Sequence, residues 1–197
     1  TLFRNALSPK SPEKLSNWRT NQIYMGHFAL TDVKENRFFF SERFSRENIE
    51  LAGSKTKPFR VWLENWEVTG DSTKDHFPQT IRAKTEEVEL ELELISLKPF
   101  VLQGNQGHSQ KGSRPGNASF YYSFTRMKTQ GVLKIQGTPF EVQGHSWMDR
   151  EWSTSALEKG QIGWDWFALQ LSDGREIMLY QITVSYTHLT LPTTEAV

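Results

Sequence analysis

Residues 144–153 read Gly-His-Ser-Trp-Met-Asp-Arg-Glu-Trp-Ser, and residues 163–166 add Gly-Trp-Asp-Trp. These two stretches set Trp147, Trp152, Trp164 and Trp166, four of the chain's seven Trp, beside His145, Asp149, Glu151 and Asp165. A solvated loop has no use for so much indole, and a plain core has none for so many ionisable groups. Large apolar rings with a few placed polar groups are what a ligand pocket needs. His145 with Asp149 or Asp165 would supply acid–base chemistry, and the indoles would line the pocket. Each residue also has a structural reading: a hydrogen-bonded His145, an ion-paired turn at Asp149-Arg150-Glu151, and indoles that are simply core. On a strand, Trp164 and Trp166 share one face and Asp165 points to the other. His27, on the strand face of Ile23, Met25 and Ala29, is expected to point inward, as a core or pocket-lining residue. His108 is expected to be exposed and incidental.

The elements that must position these groups read almost entirely as strands. Val88, Leu90, Leu92 and Leu94 alternate with glutamates, the pattern of an antiparallel strand with one wet face. Residues 22–32, 37–44, 59–69 and 119–128 carry the β-branched and aromatic residues that suit pleated surfaces. Residues 131–136 and 138–143 flank Gly137 as a hairpin. A second hairpin joins 163–171 to 175–184 through Ser172-Asp173-Gly174. A short helical turn capped by Ser45 and ended by Gly53 is the main helix signal. Residues 103–117 hold no apolar side chain and are expected to form a loop. Short strands separated by turn residues define an all-β sandwich or barrel.

Composition excludes several classes. Lys plus Arg equals Asp plus Glu at 23 each, against a nucleic-acid footprint or strong attraction to anionic membranes. With no Cys, a disulfide framework and Cys-based zinc or nucleophile chemistry are excluded. No apolar run approaches the ~20 residues of a membrane-spanning helix. There is no Gly-x-Ser-x-Gly elbow, and the Gly-rich stretch lacks a phosphate loop's Gly-Lys-Ser/Thr ending. The spacing of His27, His108 and His145 does not favour a metal site. His145 and Asp149 lie four apart, a spacing that shares a helix face, yet the flanking sequence does not read as a helix.

A series of motifs carries a family resemblance: Asn21-Gln-Ile-Tyr-Met-Gly-His-Phe-Ala-Leu-Thr-Asp32, Arg43-Phe-Ser-Arg46, Ser109-Gln-Lys-Gly112, Pro115-Gly-Asn-Ala-Ser119, Ser146 to Ser153 and Gly163-Trp-Asp-Trp-Phe167. Over residues 1–184 the chain resembles the bacterial AttH family of secreted hydrolases, related to carotenoid 1,2-hydratase. The resemblance implies an all-β, lipocalin-like antiparallel β-barrel, as two barrel-like halves in tandem. Residues 1–148 would form the first half without its N-terminal strand, and 149–184 the opening hairpin of an incomplete second. Residues 185–197, Thr-rich and out of step with that hairpin, read as a non-native tail, which discounts His188. Export to the periplasm or envelope is also implied, with an ABC-transporter component as partner and an apolar, isoprenoid or lipid-like ligand.

Adding water to an alkene needs an acid to protonate one carbon and stabilisation of the resulting cation. In the hydratase relatives a His-x-Trp pair precedes a later Tyr and Asp. Here His145 and Trp147 fit the pair and Tyr180 fits the Tyr, while Ile182 stands where the Asp is expected. The acid would then be Asp149 or Asp165. Trp147, Trp152, Trp164, Trp166, His27 and Tyr24 would line the ligand site, without cofactor or metal. Two readings follow: a binding protein for an apolar ligand, or an enzyme that hydrates or hydrolyses it.

Overall fold

The computed structural model describes residues 1–8, 20–48, 50–71, 76–153, 157–184 and 193–196, and every named element among them is a β-strand. The chain divides into two compact units, residues 1–95 with 129–144, and residues 96–128 with 145–197. Strands β11 (Ala118–Ile135) and β12 (Thr138–Ser153) contribute to both.

In the first unit, β1 (Leu2–Ala6), β2 (Gln22–Asp32) and β3 (Arg37–Arg46) form one antiparallel sheet. A second sheet runs through β4 (Ala52–Thr56), β5 (Phe59–Leu63), β6 (Trp66–Gly70), β7 (Gln79–Lys84) and β8 (Val88–Ser96) to β11. Their buried faces meet in a core of Phe28, Phe39, Trp66, Ala83, Val88 and Ile135. The alternation of β8 is realised: Val88 and Leu94 are buried, while Glu89 pairs with Lys84 and Glu91 with Arg82. The β11–β12 turn falls at Gln136-Gly137, both at positive φ, the conformation a two-residue hairpin favours. Gly131 lets β11 approach β8, since a Cβ there would overlap the Glu91 carbonyl oxygen.

Three local expectations are corrected. Ser45 and Arg46 complete β3, and Ala52 and Gly53 open β4, so no helical turn is found among the described residues; a long β-pairing with β2 outcompetes one weakly capped turn. Residues 59–69 are two strands, β5 and β6, turned at Glu64-Asn65 with Glu64 at positive φ. His27 does not point inward: Tyr24, Gly26 and Phe28 take the buried face of β2. The bulkier Tyr24 and Phe28 win the core over Ile23 and Met25. His27 lies on the other face, where Nε2 is 2.8 Å from Glu42 Oε2 and its ring lies between those of Phe3 and Phe40.

The second unit holds β9 (Val101–Leu102) and β10 (His108–Gln110), both paired antiparallel to β11. It also holds the sheet β13 (Gln161–Gln170), β14 (Glu176–Val184) and β15 (Thr193–Ala196). The 103–117 stretch is therefore not all loop: His108–Gln110 pairs with residues 118–120 because hydrogen bonding to β11 needs no apolar side chains. His108 is exposed, with its ring edge-on to Phe120. Of the expected non-native tail, residues 185–192 and 197 lie outside the described residues, and β15 pairs with β14.

Candidate functional site

The inward face of β11 explains why a site forms in the second unit. Ser119, Tyr121, Ser123 and Thr125 occupy every second position there and are at most 5% exposed. Buried hydroxyls must find partners, and β12 supplies carboxylates. Even spacing on a strand puts His145, Trp147, Asp149 and Glu151 on one side, so the His145–Asp149 separation needs no helix.

Asp149 Oδ1 accepts three hydrogen bonds: from Tyr121 Oη at 3.0 Å, Ser123 Oγ at 2.5 Å and Trp147 Nε1 at 2.9 Å. Tyr121 Oη in turn accepts from Trp166 Nε1 at 3.2 Å, and Ser123 Oγ from Gln103 Nε2 at 2.9 Å. Burial, and then the Asp149 charge, push the Tyr121 phenol well above its ordinary value, so it remains a donor at any physiological pH. The indoles of Trp147 and Trp166 meet edge to face with centroids 6.4 Å apart. Each of these bonds to Asp149 goes to Oδ1, and none uses Oδ2. Asp149 itself is exposed.

A second charged group lies beside it. Glu151 Oε1 accepts from Ser119 Oγ at 2.5 Å and pairs with Lys111 Nζ at 2.8 Å. The Lys111 ammonium stands 4.5 Å from the Tyr180 ring centroid and 5.3 Å from that of Tyr121. Tyr180 Oη donates to the Gln110 carbonyl at 3.1 Å and lies 3.4 Å from Ser109 Oγ. Tyr180 sits directly across from Trp166 in the β13–β14 ladder, so both project to one side.

Of the residues singled out from sequence, Asp149, Trp147, Trp166 and Tyr180 join this network. His145 is exposed on the same side of β12, without a hydrogen bond or ion pair among the described residues. Trp152 lies on the other side of β12, its ring 5.5 Å from Tyr122. Trp164 is 63% exposed, and Asp165 projects from the other face of β13. His27 and Tyr24 belong to the first unit, where Tyr24 is core, 1% exposed and packed with Ala52 and Leu63. Tyr121, Ser123, Gln103 and Lys111 were missed. Their signal was the hydroxyl-bearing alternation of residues 119–125, and the motif residues Ser109 to Gly112. Among the described residues, no group of three or more His, Asp and Glu could hold a metal ion.

Antiparallel sheets throughout define an all-β, lipocalin-like protein, whose second unit gathers a carboxyl, indoles and phenols into one polar cluster. A profile of the AttH-like family matches residues 1–190, and the chain belongs to that family. It superposes on a crystal structure assigned to AttH from Nitrosomonas europaea with TM-score 0.80 and 30% identity, over 93% of this chain and 54% of that one. It also resembles kievitone hydratase from Nectria haematococca, with TM-score 0.64 and 17% identity, over 88% of this chain and 51% of that one. The chain thus spans about half the length of both. No curated protein matches it.

Proposed function

We propose that this chain carries the acid–base site of a hydratase-like enzyme acting on an apolar, isoprenoid- or lipid-like ligand. The single observation behind this reading is the exposed Asp149, whose Oδ1 is held by three donors, none of which uses Oδ2. Asp149 Oδ2–H protonates one alkene carbon. The indole faces of Trp147 and Trp166 stabilise the cation on the other, a contact worth ~2 kcal/mol once desolvated. Water adds to that carbon, and its surplus proton returns to the Asp149 carboxylate, so the net change is alkene plus water to alcohol. The name of kievitone hydratase supports hydration as a reaction compatible with this fold.

A carrier reading is favoured by the exposure of Trp164 and Trp166, which offers open indole surface to an apolar guest. Native mass spectrometry of the protein expressed in an isoprenoid-producing host separates the two. A ligand accompanied by a species one water heavier supports hydration, and a single unmodified ligand supports a carrier. Asp149→Asn should lower turnover by at least about 100-fold, the usual worth of a positioned acid, while ligand binding survives. Retained turnover in that variant would remove Asp149 from the mechanism. Export, and a transporter component as partner, rest on family membership, and fractionation of the parent cells tests the first.

A further inference from the structure

The stretch that follows β10 closes on the approach to β13 through one carboxylate. Glu158 Oε1 accepts from the Arg114 backbone N–H and from Arg114 Nε, each at 3.1 Å. Its Oε2 accepts from the Ser113 backbone N–H and from Ser113 Oγ, each at 3.3 Å. Asn117 first, and then Arg114, hold the carboxyl down to about 2, so it is charged at neutral pH. Gly112 permits the close approach, since a Cβ there would lie 2.6 Å from Glu158 Oε1. The Glu158 N–H donates to Gln161 Oε1 at 2.7 Å, and Gln161 Nε2 donates to the Lys111 carbonyl at 2.8 Å. The Lys111 N–H donates in turn to the Asn117 carbonyl at 2.9 Å.

This clasp fixes the Lys111 backbone on both sides, and the ammonium then reaches Glu151 and the Tyr180 ring. Fixing a lysine side chain costs much rotamer freedom, and a partly exposed ion pair returns little of it. Where the ammonium stands therefore depends on where the backbone starts the side chain. We propose that Glu158 is a positioning residue: the clasp it closes sets Lys111 so that its ammonium meets Glu151 and Tyr180 in the wall of the candidate site. The role rests on the hydratase reading only for what that wall does to a ligand. The placement of Lys111 is read without turnover. Charge chemistry explains why a carboxylate stands at 158. Four donors from Ser113 and Arg114 meet its two oxygens, two on each. A glutamine has one acceptor oxygen, so two of those donors would face an NH2 group.

The test is NMR spectroscopy of the 197-residue chain. In the unaltered chain the Lys111 ε-methylene protons are expected to show a nuclear Overhauser contact with the Tyr180 ring and an upfield ring-current shift. Glu158→Gln is expected to abolish both. The Trp147 indole N–H, held by Asp149 and not by the clasp, is expected to keep its resonance. A Glu158 that merely braces the loop would speed amide exchange at Ser113 and Arg114 and leave the Lys111 signals in place, which overturns the proposal. So does a Trp147 resonance that moves with them, because the change is then global, or a missing Tyr180 contact in the unaltered chain. Ser113→Ala combined with Arg114→Ala, both at exposed positions, removes two of the four donors and is expected to weaken the same contact. That double variant decides the matter if Glu158→Gln does not fold. Failure of the hydratase reading would show in the turnover of Asp149→Asn and in none of these signals.

Discussion

At the scale of single residues, Tyr121 is the hinge of the cluster, accepting from Trp166 and donating to Asp149 with one hydroxyl. Its raised ionisation has a definite sign in stability. A tyrosine whose folded value lies above its unfolded one, ~10, contributes fully below that pH and loses the contribution as pH climbs toward the folded value. Tyr121→Phe should cost about 1–2 kcal/mol at neutral pH, because it strips one donor from Asp149 and leaves Trp166 without its acceptor. The same change should leave the phenolate absorbance gained up to about pH 11 unaltered, since Tyr121 does not ionise there. A variant that loses one tyrosine's worth of that absorbance would show the phenol to be ordinary. Asp149 and Trp147 were legible in the sequence because indole and carboxylate crowd together there, and Tyr180 was singled out only through the family resemblance. Tyr121 and Ser123 were not, because a buried hydroxyl gains meaning only from the strand opposite.

At the scale of elements, the β13–β14 hairpin carries Trp166 and Tyr180, so whatever anchors it also positions them. Glu176, at the start of β14 and 1% exposed, pairs with Lys98 Nζ and Arg126 Nε, each at 2.6 Å. Arg126 also donates to the Leu171 carbonyl at 2.9 Å, and Lys98 to that of Gly174, so the clamp grips both sides of the hairpin turn. Burial alone would raise the Glu176 carboxyl, but hydrogen bonds from Lys98 and Arg126 outweigh it and hold it below its ordinary value. Glu176→Gln leaves two half-buried cations uncompensated and should destabilise the chain by about 3 kcal/mol, measurable by urea unfolding. A loss under about 0.5 kcal/mol would mean that water already screens the clamp. The hairpin itself was plain from Ser172-Asp173-Gly174. Its anchor was not, because Lys98, Arg126 and Glu176 are scattered over 78 residues and alternation says nothing about which charge is buried.

For the whole molecule, the alternation that made the all-β class legible also hid how unequally charge is distributed by depth. Turns and strand periods are local, so most hairpins could be read directly; burial depends on pairing between distant strands, which misled the expectation for His27. Of the first unit's ion pairs, Arg82 with Glu91 and Lys84 with Glu89 have largely exposed side chains, and such pairs contribute little, while Asp32, paired with Arg37, and Glu67 are half-buried. In the second unit Glu176 is sealed. Glu158, its side chain 14% exposed, is drawn down to about 2 by Asn117 first, and then by Arg114 and Ser113. A carboxylate with a depressed value contributes above its unfolded value, near 4.5, and loses that contribution as pH falls toward the folded one. Acid should therefore loosen residues 96–128 and 157–184 before residues 22–46 and 79–95. Amide hydrogen exchange between about pH 5 and pH 3 should show that order, corrected for the intrinsic exchange rate. The order should survive added salt, because ions screen exposed pairs far more than a clamp closed on the buried Glu176. Simultaneous loosening, or first loss from β2 and β3, would instead place the acid-sensitive charges in the first unit.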